Sequence, residues 1–329
     1  MHLCYNADMT NNSLAVFLTV VEEMSFTKAA QKLYITQQSL SGHIKRLEDA
    51  YGVRLFERKP RLKLTPEGEA MAFYARQMLR AERNLTDRFA DLSRKTDGYL
   101  DLGLSHQRSD AFFEGIWQRF HPDYPNIDIR LREENTQGLL GALLRNEIDL
   151  MIGINVASSP RLLIEPLTTE QMRVVVSKKL LKTCFPDNTD ALIRQAQKTG
   201  ISPEDLARLP LIVLPAGNRL RISLDDMFRR AGIMPHLVLE SNHQPMAYRL
   251  ALKGEAAAAL SPIVLYRYYR EKRKLPKGVF GFRVKGATEN RVALVSRADT
   301  EDHSYIEAAR QAIRDEYTTY NRIMDEAKL

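Results

Sequence analysis

The sequence predicts a multidomain chain: a small, mostly helical front unit with a β-hairpin, a long connecting helix, and an α/β region of about 230 residues, large enough for two lobes. Three observations predict it. A pair of short helices with a polar, basic face lies between Ser25 and Glu48. An apolar seven-residue repeat runs from Met71 to Leu92. After Gly98 apolar strands begin to alternate with helices.

The front unit opens with a helix expected over Asn12 to Met24, with Leu14, Phe17, Leu18 and Val21 on one face. The helix pair follows. Its first member is Thr27 to Leu33, with Ala29, Ala30 and Leu33 as a compact apolar face and Ser25 or Thr27 as N-cap. Tyr34 and Ile35 make the turn. Thr36 caps the second helix, which runs to about Glu48. On it Leu40, Ile44 and Leu47 keep the spacing of one buried stripe. Gln37, Gln38, Ser41, His43, Lys45 and Arg46 make the opposite face, and with Ser25 and Thr27 they are the expected DNA contacts of the helix pair. Hydroxyl, amide and basic groups on an exposed helix are what reading base edges in a major groove requires. A helical hairpin with a solvated polar face is the competing reading.

Charge decides between the two. Residues 25–65 hold nine basic side chains against three acidic ones, almost the whole net charge of +7 in 41 residues. Such a footprint suits a polyanion. Arg54 to Arg58 and Arg61 to Leu64 read as two short strands around Lys59-Pro60. This hairpin places Arg58, Arg61 and Lys63 where they can hold phosphates beside the helix.

Thr65-Pro66-Glu67 then starts a long helix, with a threonine cap, proline in the first turn and an acid at the positive dipole end. It is expected to reach about Lys95, roughly 45 Å. Met71, Met78, Leu85 and Leu92 recur on it, with Tyr74 or Ala75, Ala81 and Phe89 between them. Such a stripe needs a partner, and a second copy of the helix is the expected one.

In the α/β region the expected strands are Tyr99–Leu104, Ile127–Leu131, Asp149–Ile154, Leu211–Leu214, His236–Glu240 and Glu255–Leu260. Helices lie between them, and His303 to Met324 forms a last one. This alternation argues a mostly parallel sheet with covered faces. The region carries no dinucleotide or phosphate loop, nucleophile elbow, zinc-binding HExxH or CxxC, and its histidines lack metal-ligand spacing. An enzyme is therefore not expected, nor a cofactor or a metal. Ligands of open α/β sheets sit beyond strand ends near helix N-termini. Three polar segments stand there: Ser105-His106-Gln107-Arg108, Pro215 to Arg219, and Ser241-Asn242-His243. Simple helix capping competes with ligand binding for each. Arg108 and Arg219 suggest an anionic ligand.

The composition, 44% apolar and 27% charged, is that of a soluble globular protein. No apolar run is long enough to span a membrane, and the first residues do not read as a signal peptide. Cys4 and Cys184 fit a reducing, cytoplasmic setting.

The front of the chain resembles the LysR-type transcriptional regulators. The family pattern stands here as Ser25-Phe26-Thr27, Ala29-Ala30, Leu33, Gln37, Leu40-Ser41, Ile44, Arg46-Leu47-Glu48, Gly52, Leu55-Phe56 and Arg58. It closes on Leu64-Thr65-Pro66-Glu67-Gly68. Farther on, Phe120 to Pro125 and Leu144 to Leu150 resemble two further family stretches. The resemblance implies a bacterial, cytoplasmic regulator: a winged helix-turn-helix over 9–67, a dimerising linker helix over 66–97, and an effector-binding domain over 98–329. That domain would be two-lobed, like type 2 periplasmic binding proteins, with lobe 1 over 98–168 and 298–329 and lobe 2 over 169–297. Thr168-Thr169-Glu170 and Ser296-Arg297 would be the crossing strands. Implied partners are double-stranded promoter or operator DNA, a small-molecule effector, RNA polymerase, and further copies in a homodimer or homotetramer. Effector contacts would fall at Ser105 to Arg108, Asn135-Thr136, Asn155, Gly217-Asn218-Arg219 and Asn242-His243. Two alternatives stay open: a DNA-binding regulator that ignores effectors, and a small-molecule binding protein without operator specificity.

Three departures stand out. Gln38 stands where the family often has proline, and Gly42 where it often has arginine or lysine. The family's start aligns with Met9, leaving Met1 to Asp8 as an extension.

Overall fold

The structure is a computed structural model that describes residues 7–57, 61–92, 98–272, 274–299 and 304–327. Cys4, Arg58 and His303 lie outside these residues, and the side chains of Phe89 and Leu92 are likewise not described.

The front unit consists of α1 (Ala7–Glu23), α2 (Phe26–Lys32), α3 (Gln37–Tyr51), β1 (Phe56–Glu57) and β2 (Lys63–Leu64). Its core joins Leu14, Phe17 and Val20 of α1 to Leu40, Ile44 and Leu47 of α3 and to Phe56 of β1. α1 starts earlier than expected, because the apolar stripe that marks it on the sequence begins only at Leu14. β1 and β2 pair antiparallel, Phe56 opposite Leu64 and Glu57 opposite Lys63. α4 (Pro66–Leu92) follows, 27 residues or roughly 40 Å long. Tyr74, Met78 and Leu85 stand exposed along it.

Lobe 1 is built from β3 (Gly98–Leu104), α5 (His106–Phe120), β4 (Ile127–Glu133), α6 (Thr136–Leu144), β5 (Leu150–Ile154) and β6 (Leu162–Gln171). The chain crosses into lobe 2 with β7 (Arg173–Ser177), α7 (Lys178–Cys184), α8 (Thr189–Thr199), α9 (Pro203–Ala207), β8 (Leu211–Val213) and α10 (Arg219–Ala231). Lobe 2 continues through β9 (Leu237–Glu240), α11 (Gln244–Lys253), β10 (Ala257–Leu260), α12 (Pro262–Lys272) and β11 (Val279–Arg283). β12 (Glu289–Arg297) and α13 (Ser304–Glu326) return to lobe 1. The strand orders are β4-β3-β5-β12-β6 and β11-β7-β10-β8-β9.

Two expectations need correction. The sheets are mixed rather than mostly parallel. β12 runs antiparallel to β5 and β6, and β7 antiparallel to β10 and β11, because the crossing strands return in the opposite direction. The lobe boundaries also move. β6 to Gln171 and all of β12 belong to the first sheet, so the crossings fall near 172 and 285–288, not at 168 and 298.

The lobes share a core behind the cleft. α12 packs on α5 and α13, and the Phe112 ring lies 5.2 Å from Tyr266 and 4.6 Å from Tyr317, stacked on both. Beneath them the buried Glu316 accepts hydrogen bonds from Tyr266 (2.9 Å) and Arg119 (2.7 Å). A Cβ on Gly115 would stand 2.2 Å from the Glu316 carboxylate, so α5 needs a glycine where it passes over this group.

Candidate DNA-reading face and interlobe cleft

Local capping builds the reading face. The Ser25 hydroxyl accepts from Lys28 N (3.3 Å) at the start of α2, and Thr36 from Ser39 N (3.1 Å) at the start of α3. Between them Tyr34 adopts the left-handed conformation (φ 54°), with its side chain in solvent. Gln37, Gln38, Lys45 and Arg46 are exposed, and so is Thr27; Ser25 and Ser41 are half-buried. No atom lies within 4 Å of where a Gly42 Cβ would stand, so the gap on this face is open space.

His43 is not where the sequence placed it. It turns toward α1, half-buried, with Nδ1 3.0 Å from the hydroxyl of the buried Ser13. Burial, and then the charge of Arg46, pull its pKa below the ordinary histidine value. Its Nδ1 is thereby engaged with α1 rather than left free on the outer face.

The wing is tied to α3 and to the start of α4, through the expected Thr65 cap and through two contacts with no local signal in the sequence. The Glu48 carboxylate accepts from Leu55 N (2.8 Å). The Thr65 hydroxyl donates to Arg54 O (2.6 Å) and accepts from Gly68 N (2.9 Å), joining the wing to the start of α4. Gly68 is required there, since a Cβ would fall 2.1 Å from Leu55 O. Arg61 is exposed; Lys63 is too, but it pairs with Glu57 at 2.7 Å. Lys32 likewise meets Glu22 and Glu23. Exposed pairs of this kind are worth little and yield easily to a phosphate.

Between the lobes lies a cleft of about 680 Å³. Nine of the twelve expected contact residues line it: Ser105, His106, Gln107, Arg108, Asn135, Thr136, Gly217, Asn218 and Arg219. Asn155, Asn242 and His243 do not. Asn155, at φ 52°, clamps β5 to β12 by donating to Asn290 Oδ1 (3.0 Å) and accepting from Arg291 N (2.8 Å). His243 caps α11 through Met246 N (3.0 Å), and Asn242 is exposed beside it. The third loop instead reaches the cleft through Gln244, which is buried and accepts from Ser261 N (2.8 Å).

The expected pair of cleft arginines is really one. Arg108 is 1% exposed; its Nη atoms lie 3.1 and 2.8 Å from the two Glu170 carboxylate oxygens, and Nη1 also donates to the Tyr317 hydroxyl at 2.6 Å. Burial alone would lower its pKa, but Glu170 more than reverses this and keeps the guanidinium charged. Arg108 is thus a neutralised structural cation.

The other lining carboxylates are also engaged, Glu133 with His106 (3.1 Å) and Glu134 with Arg132 (2.7 Å). Arg219 has no hydrogen-bond or ion-pair partner among the described residues. Partial burial, and then the like charge of Arg108, draw its pKa below the ordinary arginine range, with Glu170 offsetting in part. The N-termini of α5, α6, α10, α11 and α12 open toward the same space. Asn135 and Asn218 cap two of them, whereas the Ser105 side chain makes no cap bond. Helix N-termini carry partial positive charge and unsatisfied N–H groups, which offset a lining whose formal charges are three glutamates against two arginines.

Comparison with known proteins agrees with this division. The model of the bacterial regulatory helix-turn-helix protein, lysR family, matches residues 11–69, and that of the LysR substrate binding domain matches 93–318. The glycine cleavage system transcriptional activator homolog of Haemophilus influenzae is 30% identical over 251 residues, 74% of this chain and 75% of its own length. In fold, the chain is similar to a full-length OxyR variant of Pseudomonas aeruginosa, with a TM-score of 0.66, 22% identity, and 95% and 96% of the two chains covered. It is also similar to full-length CbnR in complex with its target DNA, with a TM-score of 0.57, 19% identity, and 93% and 99% covered. Two family models that together span most of the chain settle the assignment: this protein belongs to the LysR family of transcriptional regulators, a helix-turn-helix front joined to an effector-binding domain.

Proposed function

We propose that this regulator binds a specific operator through α3 and the wing, and that a small anionic molecule between the lobes sets its affinity. The observation that carries the effector reading is Arg219, the one lining charge without a partner among the described residues, set among five helix N-termini. The exposed amide and basic groups of α3 support the operator reading. Gln37 and Gln38 offer the donor–acceptor pairs that recognise adenine, and Lys45 and Arg46 suit guanine or phosphate. CbnR, which shares the fold, is known in complex with DNA. Self-association is supported by the exposed Tyr74, Met78 and Leu85 of α4 and by the exposed edge strand β9. No helix among the described residues is long and apolar enough to cross a membrane, which accords with a cytoplasmic regulator.

A gel-shift with the DNA upstream of the protein's own gene tests the operator reading. Retardation that survives competitor DNA is expected; no retardation at low salt overturns it. Gln38→Ala should relax base preference at one position by about 1–3 kcal/mol while leaving non-specific binding unchanged. A thermal-shift screen of organic acids, amines and neutral metabolites tests the effector. Stabilisation by acids is expected; a flat screen, or hits confined to amines, rejects the anionic effector.

A further inference from the structure

The linker helix is fastened to lobe 1 as well as to the front unit. The Arg80 side chain is 7% exposed. It donates to Asn146 O (2.9 Å) and pairs with Asp149. The second Asp149 oxygen accepts from Asp101 N (2.8 Å), so the carboxylate is locked onto the middle of β3. One turn earlier, Arg76 Nε lies 3.4 Å from Glu147. Glu147 also holds Arg132 (2.5 Å) and Arg145 (2.9 Å). With Asp101 and Glu22 it supplies the anions of an arginine-lined cavity of about 660 Å³ between α1, α4 and lobe 1.

All these acceptors sit on the Arg145–Asp149 loop, whose Asn146 is left-handed (φ 64°). The loop joins α6 to β5. The far ends of the same two elements, Asn135-Thr136 and Ile154, line the effector cleft, where Ile154 N donates to the Thr136 hydroxyl (3.3 Å). α6 and β5 are thus tied together at the cleft and gripped by the linker helix at their other ends, roughly 15 Å away. Rigid elements held at both ends transmit a displacement rather than absorb it.

We propose that Arg80 and Asp149, with Arg76 and Glu147 beside them, form an intramolecular clasp through which the cleft acts on the linker helix and the DNA-binding domain. The clasp rests on the proposed effector control, and coupling of this kind is reciprocal. Breaking it must loosen the cleft as well as the linker.

The test compares full-length wild type with Arg80→Met/Asp149→Asn. This variant removes both charges and keeps an acceptor for Asp101 N. Hydrogen exchange should rise about ten-fold at 76–82 and 145–149, and also at the distant cleft ends, 136–139 and 152–155, while lobe 2 is unchanged. Affinity for the upstream DNA should shift by about five-fold or more. A rise confined to 145–149 with unchanged DNA affinity overturns the clasp. If the double variant does not fold, Arg76→Gln should give the same pattern at smaller amplitude, and its absence at the cleft ends is equally decisive. If the wild type itself ignores its upstream DNA, the proposed function fails while the exchange pattern still decides the clasp.

Discussion

The reading helix and the interlobe cleft treat polar side chains in opposite ways. On α3, Gln37, Gln38 and Lys45 are exposed and make no side-chain bond among the described residues. In the cleft, the charged or titratable side chains Arg108, Glu133, Glu134, Glu170 and His106 are all paired, and among the described residues Arg219 is the one lining charge left over. A surface that meets a long polyanion can leave its groups in water until the partner arrives. A concave site cannot, because unpaired polar groups away from water cost several kcal/mol. In a cleft, then, the side chain that stays unpaired is the informative one.

The sharpest way to break this contrast is at Arg108. Glu170→Leu strands a buried cation and should cost about 3–5 kcal/mol in urea unfolding. Arg108→Met/Glu170→Leu should recover most of that loss. If the single variant unfolds like wild type, Arg108 is not a structural cation, and the assignment of ligand binding to Arg219 falls with it.

Arg219→Ala should instead leave stability untouched and weaken the acids found by thermal shift about ten- to a hundred-fold, the worth of one charge-assisted hydrogen bond. Isothermal titration measures it; an unchanged affinity removes Arg219 from the site.

On the other side of the comparison, Gly42→Ala should raise the melting temperature of the DNA-binding domain, a gain of about 1 kcal/mol for a mid-helix glycine with open space around it. A loss of stability would show that α3 needs the glycine for its own packing.

The smallest effect is expected from pH. The lowered pKa of His43 means that the unfolded chain takes up a proton more readily than the folded one. Its contribution is therefore complete above its unfolded value of about 6.5 and is lost as pH falls through the lower folded value. His43→Gln should flatten the melting temperature between pH 7.5 and 5.5; an unaltered slope would place the acid sensitivity elsewhere.

What was legible on the sequence was short-range. Thr36 and Thr65 are caps three residues from the amides they accept from, and the Leu40, Ile44 and Leu47 stripe repeats within one helix. The features that were not legible are pairings across long stretches of chain. Arg108 finds Glu170 62 residues away, and His43 meets Ser13 30 residues before it. The lobe boundary was misplaced for the same reason: β12 pairs with β6 across more than a hundred residues, and no local signal says which sheet a crossing strand joins. Asn155 and His243 were misread because a polar residue after a strand looks the same whether it closes a turn, caps a helix or faces a ligand. Only the converging geometry separates these roles.

The stacking of Phe112 between Tyr266 and Tyr317 has a mechanical meaning. Two lobes joined only by crossing strands could swing apart like the halves of a shell. Here a third attachment sits behind the hinge, and wide opening would drag an aromatic ring out of its sandwich into water. The effector domain is thus pinned behind its cleft as well as tethered by its crossing strands, a hinge with a post through it.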